Sequence, residues 1–515
     1  MLQRWCLVSC FTVLIGSVRA DGLAERVSAI TDRPEYKHSR WGILVVDAET
    51  GREVYSRNPD QFFLPASTTK LWTCAAAMEL LGADSRFHTP VHRRGTIDGR
   101  TLRGDLILVA SGDLTLGGRT LPDGTMAFAD KDHTYADPTS RDAAVTPTDP
   151  LAGLRDLARQ VRASGIETVT GEVLVDDRLF PRGQGSGSGP TVLSPIVVND
   201  NVIDVIVNPG SVVGQPAKFA LRPDTATVHV DFQVRTVAEG GAARVVVVGA
   251  GPGRVVVQGT IPLKSRPLVR IIPVDDPASF ARALFIECLR EAGVEVGASP
   301  LKTPAAELPE RAGYERLPKV AEFVSPPFSE VVKVTNKVSH NLYASTMPLL
   351  VAAKDGERTV AAGLKRQAAA LRLLGVSLAG TAFAGGAGGA NADSTSPRAT
   401  VGLLQVLQKR TDWPGFEASL PILGVDGTLA GIVTSDSPAY GRVLAKTGTL
   451  WWEDWFNGGA ILRSKALAGV MTTQRGRRLV FAMFVNDVPL PPGVSPTREG
   501  RVLGRLCEVF CRDAE

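Results

Sequence analysis

Histidine and cysteine are scarce in this chain of 515 residues, six of each. The histidines are scattered and show no metal-ligand spacing, so neither a metal nor another cofactor is expected. Cys6 and Cys10 fall in the N-terminal segment, leaving Cys74, Cys288, Cys507 and Cys511. Nothing in the sequence pairs these four; Cys507 and Cys511, four apart on an apparent helix, read as buried structural thiols. A charge excess of either sign is also missing. The formal net charge is +4, and about +2 without Arg4 and Arg19, which gives no electrostatic case for nucleic acid. No internal repeat is visible. Beyond the first twenty residues no integral membrane span is expected.

What is present begins with an address. In Met1–Ala20, Arg4 supplies a short positive region, Trp5 to Val18 is apolar, and Val18-Arg19-Ala20 closes it at the cleavage positions. Leu7-Val8-Ser9-Cys10 fits a lipoprotein pattern but leaves almost no apolar run before the cysteine. Cleavage after Ala20 and export to the periplasm or cell envelope are therefore expected.

The chain is organised around Pro65-Ala66-Ser67-Thr68-Thr69-Lys70-Leu71-Trp72. Pro65 ahead of an Ala/Leu/Met-rich body, with Gly82 as the stop, predicts a helix. Ser67 and Lys70 are three apart and share one face of it. A serine nucleophile with a lysine base needs this pairing, provided burial or positive charge strips the amine of its proton near neutral pH. S-x-x-K alone is common by chance, and its bland reading is a capping serine beside an exposed lysine. Ser339-His340-Asn341 and Lys446-Thr447-Gly448-Thr449 change the balance. Together, in this order, the three motifs match the serine acyl-transfer set of penicillin-binding proteins and β-lactamases.

Spacing narrows the family. Ser67 and Ser339 are 272 residues apart, far more than simple β-lactamases place between their first two motifs. With the flanks Asn336 to Ala344, Val425-Asp426-Gly427-Thr428-Leu429 and Ala445 to Leu450, nearly the whole mature chain resembles the D-alanyl-D-alanine carboxypeptidase/endopeptidase family, the class C low-molecular-mass penicillin-binding proteins (peptidase family S13). The resemblance implies an α+β, penicillin-binding-protein/β-lactamase-like transpeptidase fold, an antiparallel sheet with flanking helices interrupted by a large β-rich insertion. The expected division is a catalytic domain over 21–90 and 278–515 and an inserted region over 91–277, in which the resemblance implies two subdomains.

Local patterns agree with that division. Residues 41–56 read as a hairpin feeding the Ser67 helix. Short alternating runs such as Gly171 to Asp176, Val202 to Val207 and Ala243 to Val248 read as strands, with one helix from Leu151 to Ser164. Gly117 to Thr146 reads as a long excursion, and Ser111-Gly112-Asp113 and Val197 to Asn201 look like markers of the family's insertion. The last helix, Thr497 to Cys511, sets Val502, Leu503, Leu506, Val509 and Phe510 on one face for core packing.

The resemblance also assigns roles. Ser67 attacks the carbonyl of a D-Ala-D-Ala bond and Lys70 takes its proton. Ser339 relays a proton to the leaving amine, Asn341 holds the acyl-side amide, and Lys446 lowers the pKa of Lys70 and attracts the terminal carboxylate. Thr447 and Thr449 bind that carboxylate, Gly448 lets substrate lie against the strand, and the backbone N–H groups of Ser67 and Thr449 form the oxyanion hole. The partners implied are peptidoglycan stem peptides and crosslinks, with β-lactams as covalent inhibitors. Asp426 reads as structural, and His340 receives no role.

Three departures stand out. Phe383 to Ala390 falls where the family carries D-G-S-G-L-S, and its Asp and both Ser are gone. Ser345 replaces a common Glu. Trp451 to Gly459 reads as an insertion, either a hydrophobic lip on the cleft or a flap that never touches substrate. The first departure motivates an alternative, a peptidoglycan-binding scaffold; intact Ser67, Lys70, Ser339, Asn341 and Lys446 argue against it. The long insertion and the lack of a recognisable deacylating Glu motif argue against a β-lactamase or esterase.

Overall fold

The computed structural model describes residues 22–513, so the expected export segment lies outside the described residues. Among the described residues no helix is long and apolar enough to cross a membrane.

One antiparallel sheet carries the site. Its strands run in the order 443–454, 459–472, 478–486, 40–47 and 53–57, with Val488–Leu490 pairing on the second of them. Successive strand residues point to opposite faces, and here both faces are apolar. Leu44, Val46, Ala468, Val470, Ala482 and Phe484 look into a helical core shared with Leu71, Tyr343 and Leu404. Ile43, Val45, Leu467, Met471, Phe481 and Met483 look the other way, toward the helices Leu23–Thr31 and Thr497–Asp513. Val502, Leu503, Leu506 and Phe510 of the last helix are buried and Val509 half-buried, so its apolar face is used inside the protein. All four cysteines among the described residues are buried free thiols. Burial pushes the Cys74 and Cys511 thiols up to about 12.

Residues 88–324 build other sheets and further cores, although Leu114, Met126, Phe180, Leu193 and Val197 join the helical core. One sheet runs 295–296, 168–169, 101–109, 88–98 and 319–324, with 173–176 alongside 101–109. The helices Ala152–Ala163 and Pro277–Glu291 pack with it around Leu106, Leu157 and Leu284. Two three-stranded sheets, 202–208 with its neighbours and 254–262 with its neighbours, close on a small core of Val205, Val207, Val234, Val245 and Val257. The stretch Gly117 to Thr146 carries isolated bridges and one short 3₁₀ turn, His133–Tyr135.

Candidate active site

Ser67 sits in a 3₁₀ turn, Ala66–Thr68, that runs into the helix Thr69–Leu81. Ala66 has a left-handed φ of 45°, a strained conformation for a residue with a side chain. The turn is held by Thr68, whose hydroxyl donates to the Pro65 carbonyl. Every residue from Thr69 to Met78 is buried, and that explains the local sequence: Ala, Leu and Cys fill a helix enclosed on all sides. Lys70 is inside with them. Its Nζ contacts Ser67 Oγ at 2.7 Å, Asn341 Oδ1 at 2.7 Å and the Ala387 carbonyl at 2.8 Å. Burial pulls its pKa down to about 7, against a partial counter-effect from Cys74 and Asp393. A neutral amine has two N–H groups and a lone pair. It can keep all three contacts if Ser67 donates into the lone pair, the arrangement a base needs.

The second motif lies across the gap between two helices, Phe328–Lys337 and Asn341–Ala353. Ser339 adopts a left-handed φ of 63°, and its hydroxyl accepts from Lys446 Nζ at 2.9 Å. Asn341 accepts from Lys70 at Oδ1, and its Nδ2 donates to the Ser188 carbonyl at 2.9 Å. Both ends of the amide are engaged, so its orientation is fixed.

The third motif is on the edge strand Val443–Asp454. Lys446 is fully buried, and its Nζ also donates to the Thr447 carbonyl at 2.9 Å. Burial lowers the pKa of Lys446 well below the usual lysine range, and the nearby Lys70 adds to the fall. At Lys70 burial itself is the leading cause. Thr447 donates to Thr428 Oγ1 at 2.8 Å, while Thr449 Oγ1 accepts from Lys465 Nζ at 2.8 Å. A Cβ on Gly448 would lie 2.5 Å from the Pro65 carbonyl oxygen and 3.3 Å from Ala66 Cβ. Glycine here lets the strand reach the Ser67 turn.

Ser67, Ser339, Asn341, Thr447 and Thr449 all line one cleft of about 670 Å³, with Lys70 Nζ and Lys446 Nζ hydrogen-bonded to its serines. The far wall comes from the residues 88–324, through Lys131, Tyr135 and Ser188. A hydroxyl beside a buried amine, a second hydroxyl–amine pair and a row of donors on a strand edge are groups that acyl transfer can use. The sequence profile of the D-Ala-D-Ala carboxypeptidase 3 (S13) family matches residues 23–502. The chain belongs to this family. A D-alanyl-D-alanine carboxypeptidase of Actinomadura sp. (strain R39) is 30% identical over 459 residues, spanning 84% of this chain and 77% of the relative. The D-alanyl-D-alanine carboxypeptidase DacB of Haemophilus influenzae is 24% identical over 469 residues, 87% and 85% of the two chains. The crystal structure of penicillin binding protein 4 (dacB) from that organism has the same fold, with a TM-score of 0.67 at 22% identity over 94% of this chain and 97% of its own. The protein is thus a serine-type carboxypeptidase of α+β, penicillin-binding-protein architecture.

Several parts of this S13 site carry no sequence signal. Asp393 accepts from the Ala384 and Ala390 N–H groups at 2.9 and 3.0 Å. It pins the glycine-rich segment from which Ala387 reaches Lys70, within the stretch that lacks the family's Asp and Ser. Gly388 of that segment has φ 90°, and a Cβ there would lie 1.8 Å from the Ala66 carbonyl oxygen. In the Trp451–Gly459 stretch, Trp451 and Trp452 line the cleft as a lip, and Trp455 and Phe456 stand 85% and 96% exposed at the hairpin end.

Behind the second motif lies a buried charge network of the S13 chain. Arg119 pairs with Asp132 at 2.8 Å and Asp200 at 2.7 Å. His133 donates to Asp200 at 2.8 Å and Asp204 at 2.6 Å. Burial alone would lower the His133 pKa, but Asp204, Asp132 and Asp200 outweigh it and raise it to about 10. Asp200, Asn199 and Asn201 are all left-handed, which aims the Asp200 carboxylate at the Tyr343 hydroxyl. Tyr343 stacks on His340 with centroids 3.7 Å apart, and His340 Nδ1 caps the helix by accepting from the Tyr343 N–H. His340, given no role from sequence, is the cap of the helix that presents Asn341.

Proposed function

We propose that this S13 carboxypeptidase is exported to the periplasm or cell envelope and cleaves D-Ala-D-Ala bonds of peptidoglycan stem peptides and crosslinks through an acyl-enzyme on Ser67. Lys70, neutral in a useful fraction at pH 7, accepts the Ser67 proton as Oγ bonds to the carbonyl carbon. The oxyanion rests between the N–H groups of Ser67 and Thr449, donors of a kind worth about 3–4 kcal/mol each. The proton passes to the departing amine through Ser339, whose hydroxyl Lys446 polarises. Asn341 orients Lys70, and Thr447, Gly448 and Thr449 seat the leaving residue. Water, activated by Lys70, then releases the acyl chain.

The observation that carries the reading is Lys70, buried, bonded to Ser67 and Asn341, with its pKa brought to about 7. The Haemophilus influenzae protein has been solved with a β-lactam; by the same route a penicillin would acylate Ser67. The core around Leu106, Leu157 and Leu284 supports an inserted region, one that runs past the expected end at 277 to the strand Lys319–Val324, while Leu114, Met126, Phe180, Leu193 and Val197 pack into the helical core of the flanking segments. Release of D-Ala from a stem-peptide analogue tests the activity. Ser67→Ala abolishes it on this account, and unchanged release would refute the nucleophile.

A further inference from the structure

Trp455 and Phe456 stand almost fully exposed where the strands Val443–Asp454 and Gly459–Thr472 join. Trp451 and Trp452, further back on the first of these strands, line the cleft and are about half exposed. Four large aromatics thus lead from the cleft to the hairpin end. Apolar surface of this kind, left in water, marks a place that is covered in use.

The hairpin end is a built turn. The Asp454 carbonyl accepts from the Gly458 N–H at 2.8 Å, and Gly458 is left-handed with φ 71°. The Asp454 carboxylate accepts from the Asn457 N–H at 3.1 Å and from Asn457 Nδ2 at 2.8 Å. The returning strand is tied down as well. Ala460, Ile461 and Leu462 pair with Leu490, Pro489 and Val488, and Leu462, Val488 and Leu490 are buried. Trp455 and Phe456 are therefore held on a closed turn, and a ligand that stacks on them has little backbone to order.

The direction in which substrate lies decides what reaches them. On the peptidase reading above, the leaving residue sits against Thr447 and Gly448, and the scissile carbonyl meets the Thr449 N–H. The acyl chain then continues past Leu450, Trp451 and Trp452, which line the cleft beyond Thr449. At about 3.3 Å per strand residue, Trp455 lies about 20 Å further along than Thr449. A stem peptide with about four residues on the acyl side extends about 14 Å, so the hairpin end falls where the sugar chain that carries the stem begins.

We propose that Trp455 and Phe456 form a stacking platform for the glycan strand of peptidoglycan, which makes the enzyme selective for polymer over free peptide. One face of a pyranose ring presents C–H groups and is apolar, and it lies flat on an aromatic face whose π electrons attract those C–H groups. Aromatic side chains offer that area at small cost in conformational entropy. Glu453 and Asp454 precede the two rings. Their carboxylates favour a neutral sugar chain over a lipid surface, since anionic headgroups repel them. The platform rests on the peptidase reading and adds to it what holds the part of the substrate outside the cleft.

The test compares wild type with two double variants, Trp455→Ala with Phe456→Ala and Trp455→Tyr with Phe456→Tyr. Surface plasmon resonance reads their binding to glycan strands freed of stem peptides by an amidase, which needs no catalysis. The alanine pair is expected to weaken this binding about 10–100-fold, and the tyrosine pair to keep most of it. The ratio of D-Ala release from intact sacculi to release from diacetylated L-Lys-D-Ala-D-Ala should fall about ten-fold in the alanine pair. Wild type that ignores the stripped strands, an alanine pair that binds them equally well, or an unaltered release ratio would overturn the platform. So would aromatic-dependent flotation on phosphatidylglycerol vesicles without glycan binding, which would assign the hairpin to a lipid surface. If wild type releases D-Ala from neither substrate, the peptidase reading fails separately, and the stripped strands alone judge the platform.

Discussion

The Tyr135 hydroxyl donates to the main-chain carbonyl of Ser339, 204 residues away in sequence. Ser339 holds a left-handed φ, a conformation that costs of order 1–3 kcal/mol and persists where its surroundings impose it. Tyr135 belongs to the short turn that begins at His133, so the buried network and the Ser339–Asn341 motif are mechanically one piece.

Tyr135→Phe keeps the ring and removes the donor. The lost hydrogen bond is worth about 1 kcal/mol. The rate of Ser67 acylation by a penicillin should fall about five-fold, with Tm nearly unchanged, as stopped-flow and calorimetry would show. An unaltered acylation rate would detach Tyr135 from the positioning of Ser339.

Acylation should also depend on pH in a defined direction. On the proposed mechanism Lys70 acts as base only when neutral, and burial brings its pKa down to about 7. The second-order acylation rate therefore rises as pH increases through 7 and levels off above it. Lys70→Met should leave a slow, flat profile. A wild-type profile that stays level from pH 5 to 8 would mean another group takes the Ser67 proton.

The charge network makes a separate prediction about stability. The folded-state pKa of His133 is raised to about 10 from 6.5. Protonation thus favours the folded form: its contribution is complete below pH 6.5 and is lost as pH rises through 10. His133→Gln should lower Tm most at pH 6, and the gap to wild type should narrow toward pH 10. A gap that does not vary with pH would show that His133 is neutral in the folded protein.

The motifs were legible because their chemistry forces residue type and spacing. Ser67 and Lys70 must share a helix turn, and Lys446 to Thr449 must lie on a strand. The hairpin at 41–56 and the apolar face of the last helix were legible because period 2 and period 3.6 map directly onto burial. Asp393 was not. A lone Asp holding two backbone N–H groups leaves no periodic trace. Arg119 and His133 were equally silent, and Asp200 stood out only as part of the Val197 to Asn201 marker, since their partners lie 13 to 143 residues apart and only the fold brings them together.

The central claim is that Ser67 is an acylating nucleophile activated by Lys70. Its most direct test is the intact mass of the protein after incubation with benzylpenicillin, for wild type beside Ser67→Ala. One penicilloyl adduct per wild-type chain, on the peptide that contains Ser67, and none on the variant is the predicted result. No adduct on wild type while the drug remains unconsumed, or equal adducts on both proteins, would contradict it.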